Sequence, residues 1–191
     1  EDRTKVLLYR PVLYRSAMAK KKSDTFFIRA EVTSDDATFT QAEIDLGAFV
    51  DALGQSVLRI HSISTQYQYA GFPWAAQAAT NLGNNAVAAL GWNLVTQLPT
   101  ELVGMTDKSL IASGSLTLTT DGSGNPSLIA EAEDLNPEEW RGGYLVATEA
   151  IYLGIDSTAV INPECTFGVT LECTVEKLSK EAALALALSQ Q

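Results

Sequence analysis

Apolar and polar positions alternate with a period of two through most of the chain, at spacings that leave little room for long helices. Thr25–Thr33 places Phe26, Ile28, Ala30 and Val32 on one face and Phe27, Arg29, Glu31 and Thr33 on the other. Successive side chains of extended backbone point to opposite sides, so this segment predicts a strand with one wet face. Ala42–Val50 sets Ile44, Leu46 and Val50 in register. Ser56–Tyr69 reads as a long strand with Leu58 and Ile60 on one side and Arg59, His61, Ile63 and Tyr67 on the other. Ala86–Thr96 adds a further strand. Ser109–Thr119 and Pro126–Ala132 flank Asp121-Gly122-Ser123-Gly124-Asn125, whose glycines supply positive φ, and together they predict a hairpin. Tyr144–Ile155 and Thr166–Leu178 follow, the second with Phe167, Val169, Leu171, Cys173 and Val175 on a single face. In Lys5–Arg15 the central Pro11 denies a ladder its donor, which makes that segment an edge strand or an extended arm. About eight to ten strands, separated by Gly, Pro, Asn and Asp clusters, predict an all-β protein built as an antiparallel sandwich or barrel.

Two stretches break the alternation. Residues 70–85 are small, Ala-rich and punctuated by glycine, which predicts an inserted loop with one short helical turn. At the other end Ser179 as N-cap and Glu181 in the first turn predict a short C-terminal helix, whose Leu184, Leu186 and Leu188 cannot share one narrow stripe. The layout is then an arm over 1–24, a sandwich over 25–178 and a helical tail over 179–191. With 191 residues, 46% apolar and 19% charged, the chain suits one domain with a sizeable core. No run approaches the ~18 to 20 apolar residues of a membrane-spanning helix, and Glu1–Leu8 lacks the basic-then-apolar order of a secretory signal, so a soluble protein is expected. The opening Glu1, in place of Met, implies processing upstream.

Charge divides the chain more sharply than pattern does. The first 29 residues hold eight basic and three acidic side chains, net +5, and the remaining 162 hold five basic and twenty acidic ones, net −15. The basic residues Arg3, Lys5, Arg10, Arg15, Lys20, Lys21 and Lys22 would engage a polyanion through counterion release, with Tyr9 and Tyr14 interleaved to stack on bases. The alternative is an arm packed against the acidic body of its own or a neighbouring chain.

Catalytic chemistry is poorly provided for. His61 is the sole histidine, which argues against a triad or a His-rich metal site and for a structural role. Cys165 and Cys173 lie eight apart in one extended segment, roughly 25 Å from each other, and are expected as buried thiols. The acidic segment Glu131, Glu133, Asp134, Glu138 and Glu139 offers oxygen ligands to a hard cation such as Ca²⁺ but has no EF-hand spacing, and the reading preferred over a cation site is a solvated loop. Gly142-Gly143 suits a tight entry to a strand, and no phosphate-cradling loop is present. Trp92 is embedded in an apolar segment and predicted to be core, whereas Trp74 and Trp140 would suit a carbohydrate site. No catalytic residue, metal or cofactor is implied.

The basic arm through Lys22, SVLRIHSIS at 56–64, GGYLVATEAIYLGI at 142–155 and TFGVTLECTVEKLS at 166–179, taken in order, resemble a single jelly-roll capsid protein of an icosahedral virus. That resemblance implies a jelly-roll sandwich that builds the shell of a virion, loops that meet neighbours around symmetry axes, and an arm that faces packaged nucleic acid or threads between subunits. Its partners would be copies of itself, with no membrane span. The Leu/Ala-rich tail independently suggests an assembly interface at Leu184, Leu186 and Leu188, because exposed apolar elements mark interfaces that symmetric association covers. The principal rival is a secreted or surface-attached β-sandwich that binds carbohydrate through Trp74 and Trp140. An enzyme on a jelly-roll or cupin scaffold ranks third, since the usual metal sites there need several histidines.

Overall fold

The computed structural model describes residues 22–34, 37–51, 53, 55–69, 82–159 and 165–190. In chain order its elements are β1 (Phe26–Ser34), β2 (Thr40–Asp45), β3 (Ser56–Tyr69), β4 (Val87–Val95), β5 (Leu110–Thr120), β6 (Pro126–Leu135), a 3-10 turn at Pro137–Glu139, β7 (Tyr144–Val146), β8 (Ala150–Ser157), β9 (Cys165–Lys177) and helix α1 (Lys180–Ser189). The strands form two antiparallel sheets, ordered β1-β9-β3-β7 and β2-β8-β4-β5-β6. Pairing is nested: β1 with β9, β2 with β8, β3 with β7. A long hairpin rolled up so that successive strands fall in opposite layers gives this order, and it is the jelly-roll form of the β-sandwich. Each strand has one apolar face, so a single sheet would leave that face in water; two layers bury both.

The core lies between the layers. Leu58, Ile60 and Leu171 from the four-stranded sheet meet Leu94, Leu116, Ile151 and Leu153 from the five-stranded one, all buried. Phe167, fully buried, stacks on Trp92 across the layers at 5.0 Å and meets its cross-strand neighbour Tyr67 at 4.8 Å. Trp92 is therefore core, as its apolar surroundings predict. The expected hairpin joins β5 to β6, where the Asp121 carboxylate accepts from the Asn125 side chain (2.7 Å) and from the backbone N–H of Ser123 and Asn125 (2.8 Å each).

Four segments differ from the alternation. In β3 a bulge falls between Ile60 and Ser62, so Ile60 pairs with Cys173 and Ile63 with Leu171. The extra residue reverses the parity, and Ile63 and Tyr67 join Leu58 and Ile60 in the core rather than facing away from them. Ala42–Val50 is not one strand: β2 stops at Asp45, whose Oδ1 accepts from the Gly47 N–H at 2.8 Å, and the Val50 N–H returns to the Leu46 carbonyl at 2.9 Å in a helical turn. Tyr144–Ile155 is two strands, because the chain leaves one sheet for the other at residues 147–149. β6 runs on to Leu135, so Glu131, Glu133 and Asp134 lie on an edge strand and not in a loop. The expected arm segment Lys5–Arg15 and most of the 70–85 insertion fall outside the described residues.

Candidate assembly surfaces

The described chain enters the fold beside β9. The Ser23 N–H donates to the Val175 carbonyl at 2.9 Å, and the Val175 N–H donates to Ser23 Oγ at 2.8 Å. Lys22, exposed, reaches Glu176 Oε1 at 3.8 Å. Glu176 is buried and is held by a two-pronged pair with Arg59, at 2.7 Å from Nε and 2.9 Å from Nη2. Arg59 Nη1 also donates to the Gly142 carbonyl, so one guanidinium ties β3, β9 and the approach to β7 together. The approach needs glycine: Gly143 has φ +71°, and a Cβ there would run into the Ile60 carbonyl. Of the basic residues read from the sequence, Lys22 sits at this junction, and Arg3, Lys5, Arg10, Arg15, Lys20 and Lys21 lie outside the described residues, as does Trp74.

His61 occupies the bulge nearby, its Nε2 3.0 Å from Thr174 Oγ1. Burial and the Lys22 charge, with a smaller push from Arg59, hold its imidazole below its ordinary value of 6.5, against Glu172 and Glu176, which raise it. The unfolded chain therefore binds this proton more readily. Stability present above pH 6.5 is lost as the pH falls through the lower folded value. His61→Gln should flatten that limb of a melting-temperature profile recorded from neutral to acidic pH. A limb as steep in the variant as in the parent would assign it to carboxylates instead.

Helix α1 starts where Ser179 Oγ accepts from the Ala182 N–H at 3.2 Å, the cap that the sequence predicts. It buries Ala183 and Ala187 and leaves Ala182, Ala185 and two of its three leucines exposed. Ala183 and Ala187, one turn apart, pack with Val57 and Ala147, and Leu186 lies partly buried against the same cluster. Leu184 and Leu188 face outward, 45% and 62% exposed. The three leucines are thus divided, since small residues on one side let the helix approach the body closely while i, i+4 leucines line the other. Gln190 closes the helix. Its carbonyl accepts from Thr96 Oγ1 at 2.9 Å, its Oε1 from the Ala147 N–H at 2.9 Å, and its Nε2 donates to the Leu145 carbonyl at 2.6 Å.

The remaining candidates have structural surroundings. Cys165 and Cys173 are buried free thiols on β9, pushed up to about 11 and about 12 by burial, with the Glu172 charge adding to the second. Trp140 is partly exposed and meets Tyr144 at 5.4 Å. Glu133 accepts from Asn136 Nδ2 at 2.9 Å, and Asn136 Oδ1 caps the 3-10 turn through the Glu138 N–H at 3.2 Å. Asp134, Glu138 and Glu139 are exposed, and acidic side chains along β6 discourage other strands from pairing with this edge. Among the described residues no cluster of His, Cys, Asp or Glu is gathered as metal ligands would be, and no helix is long and apolar enough to cross a membrane. Sequence reasoning missed Arg59, Glu176 and Gln190. Arg59 and Glu176 do stand on the polar faces of their alternating segments, a signal that gives no pairing by itself.

No family model and no curated protein sequence matches the chain. Among solved structures it is similar to VP1 of Trichodysplasia spinulosa-associated polyomavirus in complex with sialylated precision glycooligomers, with a TM-score of 0.46 at 8% identity over 81% of this chain and 95% of that one. An unassembled KI polyomavirus VP1 pentamer gives 0.45 at 10% identity over 81% and 95%. Desmodium yellow mottle tymovirus gives 0.30 at 8% identity over 92% and 96%.

Proposed function

We propose that the chain is a structural subunit that assembles with copies of itself into an icosahedral viral capsid or similar shell, and that it resides in the virion. The observation that carries this reading is helix α1, which packs Ala183 and Ala187 inward and leaves Leu184 and Leu188, one turn apart, as an apolar stripe in water. A second copy is the cheapest cover for such a stripe. The jelly-roll body supports the reading as a rigid block with loops at both ends, and the basic arm rooted at Lys22 supplies a contact to packaged nucleic acid or to a neighbour's acidic surface. The role involves no turnover.

Electron microscopy and size-exclusion chromatography of three proteins test it. The parent should form closed particles. Leu184→Glu with Leu188→Glu should abolish them while leaving the unfolding free energy within about 0.5 kcal/mol of the parent, as surface substitutions do. Lys20, Lys21 and Lys22 changed together to Gln should lower particle yield or nucleic-acid retention most at low salt, because at ~0.15 M the Debye length of about 8 Å already screens exposed charge. A parent that stays monomeric under all salt conditions sinks the proposal.

A further inference from the structure

The first third of β9 holds a glycine, Gly168, that the fold does not require. A Cβ at Gly114 would meet the backbone carbonyl oxygen of Ala132 at 2.6 Å, so that position must stay bare. At Gly168 the nearest atoms to an added Cβ are the carbonyl oxygens of Gln66 and Ala30, at 3.9 and 4.0 Å, and φ is not positive. A Cβ there would make only ordinary van der Waals contact. Glycine inside a strand weakens it and marks places where a ligand or another backbone comes close. Here the missing side chain opens a trough of about 410 Å³ on the outer face of the four-stranded sheet.

Register builds the walls. Gly168 lies between Glu31 of β1 and Gln66 of β3, and the next outward row is Arg29, Thr170 and Ser64. Gln68 Nε2 donates to Gln66 Oε1 at 3.2 Å, which steadies one wall. The lining carries one guanidinium and one carboxylate, so its formal charge is zero, among hydroxyls and amides that both donate and accept. A polyanion gains little there. Farther along the same face Phe27 is 55% exposed, with the Arg29 guanidinium 5.9 Å from its ring centre. Phe27 pairs with Glu172, four residues from Gly168, roughly 13 Å away at ~3.3 Å per residue.

We propose that this trough binds an uncharged oligosaccharide lying along β9 over Gly168, its hydroxyls held by Arg29, Glu31 and Gln66 and one sugar face resting on Phe27. The span calls for an oligomer rather than a single sugar. The site is separate from Trp140 and Tyr144, and it does not depend on shell assembly.

Calorimetric titration of the full chain with neutral glucose hexamers, β-1,4-linked and α-1,4-linked, tests the proposal, with a sialylated trisaccharide and a thymidine decamer as charged comparators. At least one neutral hexamer should bind the parent. Gly168→Val, which fills the trough with a strand-favouring side chain, should keep or raise the melting temperature and weaken binding at least about tenfold, about 1.4 kcal/mol. Exposed Gln66→Ala should weaken it too, without touching the fold. Absence of binding by both hexamers, preference for a charged comparator, or binding undiminished in Gly168→Val and Gln66→Ala would overturn the assignment. So would self-association that Gly168→Val alone removes.

Discussion

Phe167→Ala is expected to destabilise the fold by about 3–5 kcal/mol, the range for truncating a buried aromatic ring. The residue is fully buried, and its ring is the meeting point of Trp92 from the opposite sheet and Tyr67 from the neighbouring strand. Removing it takes away apolar burial, opens a cavity where the layers touch and forfeits two ring contacts worth about 0.5–1.5 kcal/mol each beyond area. Close packing limits how far the sheets relax into the gap. Urea denaturation followed by tryptophan fluorescence measures the change. A loss below about 1 kcal/mol would mean that the layers are held together elsewhere.

Arg59→Ala is expected to cost about 3 kcal/mol, the low end for breaking a buried ion pair, because the Arg59 side chain is 19% exposed and Lys22 still stands 3.8 Å from Glu176. What remains after the change is a buried carboxylate with its best partner gone, and that, more than the lost attraction, sets the size of the effect. The combination of Arg59→Met and Glu176→Leu should therefore lose less than Arg59→Ala alone. A double variant as unstable as the summed single changes would show that the pair is not the source. Both proteins should unfold in one transition, which makes a double-mutant cycle the appropriate measurement.

Local alternation carried most of the fold into view from the sequence. β1, β3 and β9 lie within a residue of the alternating segments, and the β5–β6 hairpin follows from its glycine-rich turn. The errors have a common cause: periodicity reports which residues are apolar, not where the chain changes layer or gains a residue. The bulge beside His61 leaves no mark in composition, yet it returns Ile63 and Tyr67 to the core. Leu46 and Val50 are four apart, a separation that fits either a strand or one helical turn. Tyr144–Ile155 stays apolar through the crossover because Ala147 there packs under α1. The junction of Arg59 with Glu176 joins positions 117 residues apart, beyond any local signal. Gly168, by contrast, is visible in the sequence as the one bare position in TFGVTLECTV, although its meaning depends on the open space above it.

The Gln190 clamp is expected to place α1 late in the order of folding, which hydrogen-exchange labelling during refolding would check. Its hydrogen bonds reach Thr96, beyond the end of β4 in one layer, and Leu145 in β7 of the other, with Ala147 just past it. Those groups come together only after both sheets have formed and closed on each other, a set of contacts distant in sequence and correspondingly slow to assemble. Until then Leu184 and Leu188 have no fixed direction. If α1 is the contact between copies proposed above, a stripe that acquires its orientation in the final docking step would act as a proofreading device: half-folded chains would present no defined surface to one another, and only finished subunits would be recruited.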